Sequence, residues 1–279
     1  MDELASALAF DRGVHARGAR QATALPEGMV ILHPGLPSVH HLNSVLLDAP
    51  LGRQVALSAI VRLADAWLRH LAYRRVVLDD AGAARRLQES FNAAGWTRQR
   101  TVFMVWRGAR VQPPGADPRV REISEAELHA HQLERFAEER GRPSPYADGL
   151  IAALVAAQGR LRAGTPARCF GAGDDGAVRS SCTLFLGEAP LAGGESEGEG
   201  RVAMIEEVGT LIAHRERGLA RAVVMAAVAA ACRWGAEQIV IPADADDWPQ
   251  LLYGRLGFAP VGEQVAFTLT RPPSNTRPL

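Results

Sequence analysis

Val208-Gly209-Thr210-Leu211-Ile212-Ala213-His214-Arg215-Glu216-Arg217-Gly218-Leu219-Ala220-Arg221 is the stretch from which the rest of the chain can be read. The run Arg201 to Leu211 that leads into it reads as a strand, and a helix begins near Gly218. The free N–H groups of that helix's first turn, with its dipole, form a site for an anion such as a pyrophosphate. Gly218 and Ala220 keep side chains clear of the backbone, while Arg215, Arg217 and Arg221 surround it with positive charge. By itself R-x-x-G-x-A says little in a chain rich in Arg, Gly and Ala. Its place at a strand-to-helix junction gives it meaning.

Around this stretch the second half reads as alternating elements. Arg119 to Ile123 is a strand, and Ser124 to Arg140 a helix with Ser124 and Glu127 in capping-box spacing. A second helix runs from about Tyr146 to Leu161. Cys169 to Gly171 and Val178 to Leu186 form a hairpin around Gly173-Asp174-Asp175-Gly176. The helix Gly218 to Gly235 is apolar on nearly every face, so a sheet and its neighbours should cover it. Strand Gln238 to Pro242, helix Trp248 to Leu256 and strand Gln264 to Leu269 follow. Alternation of this kind makes the domain α/β or α+β.

With these elements in place, the segment resembles the cofactor motif of the GNAT superfamily of N-acetyltransferases, [RQ]-x-x-G-x-[GA]. The resemblance runs from about Arg119 to Thr270 and includes Leu252-Tyr253-Gly254-Arg255-Leu256-Gly257-Phe258, similar to the family's L-Y-x-x-x-G-F. It implies acetyl-CoA as acyl donor. The backbone of Val208 and Thr210 would pair with pantetheine, and Arg215, Glu216, Arg217, Gly218, Leu219 and Ala220, with Arg221 beside them, would hold the pyrophosphate. Gly209 fits a strand that family members splay or bulge there.

The resemblance gives Tyr253 the position of general acid toward the departing thiolate, which a phenol can hydrogen-bond or protonate. Packing under the strand is the other reading of Tyr253. An attacking amine must be neutral, so a base or a water relay is needed. Glu206 is the candidate base, because plain alternation puts it on the face of Val208 and Thr210 and sends Glu207 to the other; a bulge would swap the two. A solvated pair of edge carboxylates is the alternative. One departure stands out: where the family often has Asn seven residues before the tyrosine, this chain has Asp246, a charge that would repel an anionic cofactor.

The first half echoes the second. Arg75 to Asp79, a helix through Phe91, Gly95-Trp96 and the strand Thr101 to Trp106 can be laid beside Gln238 to Pro242, Tyr253, Gly257-Phe258 and Ala266 to Leu269. The fold expected is therefore two tandem GNAT-like domains, residues 1–112 and 119–271, each a mixed, mostly antiparallel twisted sheet flanked by helices. A Pro/Gly-rich linker 113–118 joins them, and a disordered tail 272–279 ends the chain. Phe91 has no hydroxyl, and no R-x-x-G-x-[GA] precedes the helix at Gly52 to His70, so the first domain is degenerate and structural or substrate-shaping. His33, His40 and His41 lack carboxylates or cysteines at ligand spacing, so no metal is expected.

Composition narrows the function classes. The 279 residues are 47% hydrophobic with a formal net charge of zero, which points to neither nucleic acid nor an anionic membrane. All cations are Arg, since the chain has no Lys. Cys169, Cys182 and Cys232 are odd in number and widely spaced, against a disulfide framework or zinc site. No charged-then-apolar leader opens the sequence, and Leu219 to Cys232 is shorter than the ~20 residues a bilayer needs. A cytoplasmic N-acetyltransferase acting on a small-molecule or peptide amine is expected, and a homodimer is left open. The acidic run Glu195 to Glu199 leans toward a cationic amine. The competing reading is a non-catalytic acyl-CoA-binding sensor or interaction module.

Overall fold

The structure is a computed structural model that describes residues 2–108, 117–140, 147–173, 176–191 and 198–270. The linker positions 113–116, the turn residues Asp174 and Asp175, most of the acidic run (192–197) and the tail 272–279 lie outside the described residues.

The chain opens with helix α1 (Glu3–Gly18), then β1 (Gln21–Leu25), β2 (Gly28–Leu32), β3 (Ser44–Leu47), α2 (Leu57–Leu68), β4 (Tyr73–Leu78), α3 (Ala81–Ala93) and β5 (Thr97–Trp106). The second half holds β6 (Val120–Glu122), α4 (Glu125–Arg140), α5 (Ala147–Gly164), β7 (Ala167–Ala172), β8 (Ser180–Pro190) and β9 (Glu199–Thr210). It ends with α6 (Leu219–Trp234), β10 (Gln238–Asp244), α7 (Pro249–Arg255) and β11 (Phe258–Thr270). The expected elements of the second half are all present. The capping box forms as read: the Glu127 amide donates to Ser124 Oγ at 3.3 Å, and the Ser124 amide to Glu127 Oε2 at 2.9 Å. Glu199, the last residue of the acidic run, belongs to β9.

Two separate sheets were expected; the structure has one. Its eleven strands run in the order β1-β2-β3-β4-β11-β5-β10-β9-β8-β7-β6. The reason lies in the middle. β11 pairs antiparallel with β4 and β5, and β5 pairs antiparallel with β11 and β10. Each half thus lends its last strand to the other, and the two long strands pair along their length. The halves stay internally alike, since β3/β4 and β9/β10 are the two parallel pairs in an otherwise antiparallel sheet.

Alternation along the strands builds a core on each face. Val102, Met104 and Trp106 of β5 pack toward α6 and α7, while Phe103 and Val105 pack toward α1 and α5. Helices α2 and α3 cover Val76, Leu78 and Phe267 on the first of these faces. Phe91 of α3 is fully buried and stacks on Phe267 of the exchanged strand, with ring centroids 3.9 Å apart. Burying a side chain of that size contributes about 2–3 kcal/mol, so this contact helps fix the exchange. The all-round apolar helix α6 is covered as expected, with Val223, Val224, Ala227 and Val228 fully buried. Among the described residues no helix is long and apolar enough to cross a membrane.

Candidate active site

The site starts where two parallel strands part. β9 and β10 pair only at Val202↔Gln238, Ala203↔Ile239 and Met204↔Val240; beyond that β9 continues to Thr210 and β10 to Asp244. A bulge in β9 accompanies the parting. The register with β8 passes from Thr183↔Glu206 to Ser181↔Gly209, so Glu207 and Val208 together oppose Cys182. Glu207 takes a left-handed backbone (φ 56°) to absorb the extra residue.

The bulge reassigns the faces. Val208 packs with the α6 core, whereas Glu206 and Glu207 both line cavities beneath α1 on the opposite face. Simple alternation, which put Glu206 beside Val208 and Thr210 and Glu207 opposite, does not survive it. Gly209 stands at the end of the bulge, opposite Ser181. A Cβ there would lie 2.2 Å from Cδ of Arg135, so the glycine makes room for an arginine of α4. Arg135 then reaches Glu207 Oε2 at 2.6 Å, and Gln158 of α5 donates to Glu207 Oε1 at 2.9 Å. Both helices are thereby tied to the bulge.

On the α6 face a cavity of about 800 Å³ gathers most of the motif: Val208, Gly209, Thr210, Arg215, Glu216, Gly218, Leu219, Ala220, Arg221 and Tyr253. Gly218 caps α6 with a left-handed backbone (φ 74°) and no side chain caps the helix, which leaves the first-turn N–H groups to a ligand. Arg217 is the exception among the motif residues, for it does not line the cavity and donates to the Ala213 carbonyl at 3.2 Å. Arg135 and Asp247, which the sequence does not single out, also line it, as does Trp248, 56% exposed beside the cleft. Asp246 is not in the wall. Its carboxylate meets Arg100 at 2.5 Å, which holds it below the usual carboxylate range and answers its charge.

Tyr253 is buried, and burial raises its phenol above the ordinary value, with the charges of Glu206, Cys182 and Glu207 adding to the effect. Glu206 is pushed up to about 8, by burial first and then by repulsion from Asp11 and Glu207, against the pull of His15. Burial works against the charge of His15, but its bonds to Asp11 outweigh that and lift it to about 9. Among the described residues no group of three His, Cys, Asp or Glu side chains is placed to hold a metal ion.

The equivalent region of the first half is built differently. β3 ends at Leu47 while still paired with Leu78, so no parting occurs. The turn before α2 is occupied by a carboxylate, as Leu51 donates its N–H to Asp80 Oδ2 at 3.3 Å. A carboxylate thus stands at that turn, whereas no side chain caps α6 in the second half.

No protein-family model and no curated protein sequence matches the chain. Solved structures do. A GCN5-related N-acetyltransferase from Kribbella flavida matches with a TM-score of 0.58 at 19% identity, over 99% of this chain and 97% of that one. The chain has the GNAT fold. A GCN5-related N-acetyltransferase from Sphaerobacter thermophilus matches with a TM-score of 0.50 at 19% identity, covering 83% of this chain and 75% of its own. A functionally unknown conserved protein from Staphylococcus epidermidis gives 0.60 at 12% identity, over 89% and 93% of the two chains. At these identities the GNAT likeness speaks for the fold, and it extends over both halves.

Proposed function

We propose that this chain is an acetyl-CoA-dependent N-acetyltransferase with one active site, in the second half, that acetylates a primary amine by direct attack. The observation that carries the reading is that the cofactor motif and Tyr253 share one cavity where β9 and β10 part. The backbone of Val208 and Thr210 would hold pantetheine, and the uncapped α6 terminus with Arg215 and Arg221 would hold the pyrophosphate. The N–C bond forms as the C–S bond breaks, the amine's proton leaves to Glu206 or to water, and the thiolate departs toward Tyr253.

The raised phenol refines the tyrosine's part. Tyr253 stays protonated through the working range, so it always offers a hydrogen bond to the developing thiolate. Full transfer to a thiol of pKa about 8.5 is uphill from such a phenol. Stabilisation by donation is therefore its main contribution. Glu206 stands across the parting and is ionised only near pH 8 and above, in the range where amines shed their protons.

The test is release of thiol from acetyl-CoA over a panel of primary amines. Acceptor-dependent release supports the reading. Binding of acetyl-CoA with no release for any amine would favour the non-catalytic binding module instead.

A further inference from the structure

A second cavity, of about 410 Å³, lies under α1 on the face that Glu206 occupies, and both halves wall it. Across the sheet, Glu206, Glu207 and Asp244 stand on β9 and β10, and Ser44 and Arg75 of the first half on β3 and β4; His41 lies between them and also lines a smaller cavity with Glu206. The two sides have opposite chemistry.

Arg75 is the informative residue. Its guanidinium donates to Thr268 Oγ1 at 3.2 Å and to Gln99 Oε1 at 3.3 Å, both neutral, and its Nε is buried without a hydrogen-bond partner. No carboxylate pairs with it among the described residues. Its neighbour Arg74 shows what this fold does with a structural arginine, since it meets Asp65 at 2.6 Å. His41 Nε2 is also buried without a partner, and burial, with the positive charges of His15 and Arg75, brings its imidazole down to about 3. Arg75 is partly buried with no counter-charge beside it among the described residues, a cost that an anion entering the cavity would offset.

We propose that the acceptor amine belongs to a molecule that also carries a carboxylate, with the amine at Glu206 and the carboxylate held by Arg75 and His41. The degenerate half then serves as the acceptor's anion site. The inference rests on the acetyltransferase reading above. Four strand spacings separate β9 from β4, about 19 Å at ~4.8 Å each before either side chain reaches in. The reach of both side chains shortens that span, so the separation of the acceptor's amine and carboxylate is what the peptide series below reads.

The experiment uses the full chain, acetyl-CoA and glycine peptides of two to six residues, each as free acid and as C-terminal amide, with kcat/KM read from thiol release. At the favoured length the acid should exceed the amide at least tenfold. Arg75→Gln should bring that ratio near one, and Arg75→Lys, which keeps a cation but loses the planar fork, should lower it part-way. Should Arg75→Gln not fold, Arg75→Lys decides. A ratio near one at every length in the unaltered protein, or a ratio that neither variant changes, overturns the proposal. So does an acetyl-CoA thermal shift with no peptide turned over, which spares the cofactor assignment. Absence of the thermal shift itself would remove the acetyltransferase reading, and this inference with it.

Discussion

Replacing Glu206 by Gln keeps the shape of the side chain and removes its ionisation. With a value of about 8 in the folded protein, the carboxyl is about one-tenth ionised at pH 7 and about nine-tenths at pH 9. If it accepts the amine's proton, the advantage of the unaltered enzyme over Glu206→Gln should grow roughly tenfold across that interval. General bases typically contribute 10²–10⁴-fold, so the variant should fall by about 10² or more at pH 9 and by about a tenth of that factor at pH 7. The rise that remains in the variant belongs to the amine's own titration. Thiol release measured as kcat/KM from pH 6.5 to 9.5, with one fixed amine, reads this directly. A constant ratio between the two proteins at every pH would refute the base assignment, and water or the free amine would replace it.

Tyr253→Phe should lower kcat by about 10²-fold or more with acetyl-CoA affinity nearly unchanged, because only a donor is lost; unchanged turnover would return Tyr253 to a packing role. Phe91→Ala should destabilise the fold by about 3–5 kcal/mol in urea titration, through the lost stacking on Phe267 and the cavity left behind. A loss under 1 kcal/mol would mean the exchanged strands do not depend on that contact. Glu206 should also shape stability: its folded value lies above the unfolded one, so the folded state binds the extra proton and stability falls as pH rises from about 4.5 through 8. Glu206→Gln should accordingly gain in melting temperature relative to the unaltered protein between pH 5 and pH 9, and a gain independent of pH would contradict this.

What the sequence disclosed followed from local rules. The Ser124–Glu127 box, the apolar α6 with Gly218 and Gly235 at its ends, and the strand–helix–strand echo around Phe91 and Tyr253 all depend on residues a few positions apart. What it concealed depends on distant partners. The bulge at Glu207 exists only against Cys182 of β8, and one extra residue moved Glu206 to the other face. The exchange of β5 and β11 was equally hidden, since either strand alternates well enough to pair with its own half or with the other. Helix α1 was not read, though Ala7, Phe10 and Val14 have helical spacing and are buried. Its carboxylate Asp11 and its His15 became part of the Glu206 environment through packing that no local pattern announces.

The central claim is that the cavity at the start of α6 binds acetyl-CoA. A ligand present at about 100 times its dissociation constant should add about 2.7 kcal/mol of stability, which in a chain of this size raises the melting temperature by roughly 5–10 °C. Gly218→Glu would place bulk and negative charge at the helix terminus, on a residue whose left-handed backbone suits glycine, and should abolish the shift. Melting curves of the unaltered chain and of Gly218→Glu, with and without millimolar acetyl-CoA, make the measurement. The account predicts a shift in the first and none in the second; no shift in either, or the same shift in both, would contradict it.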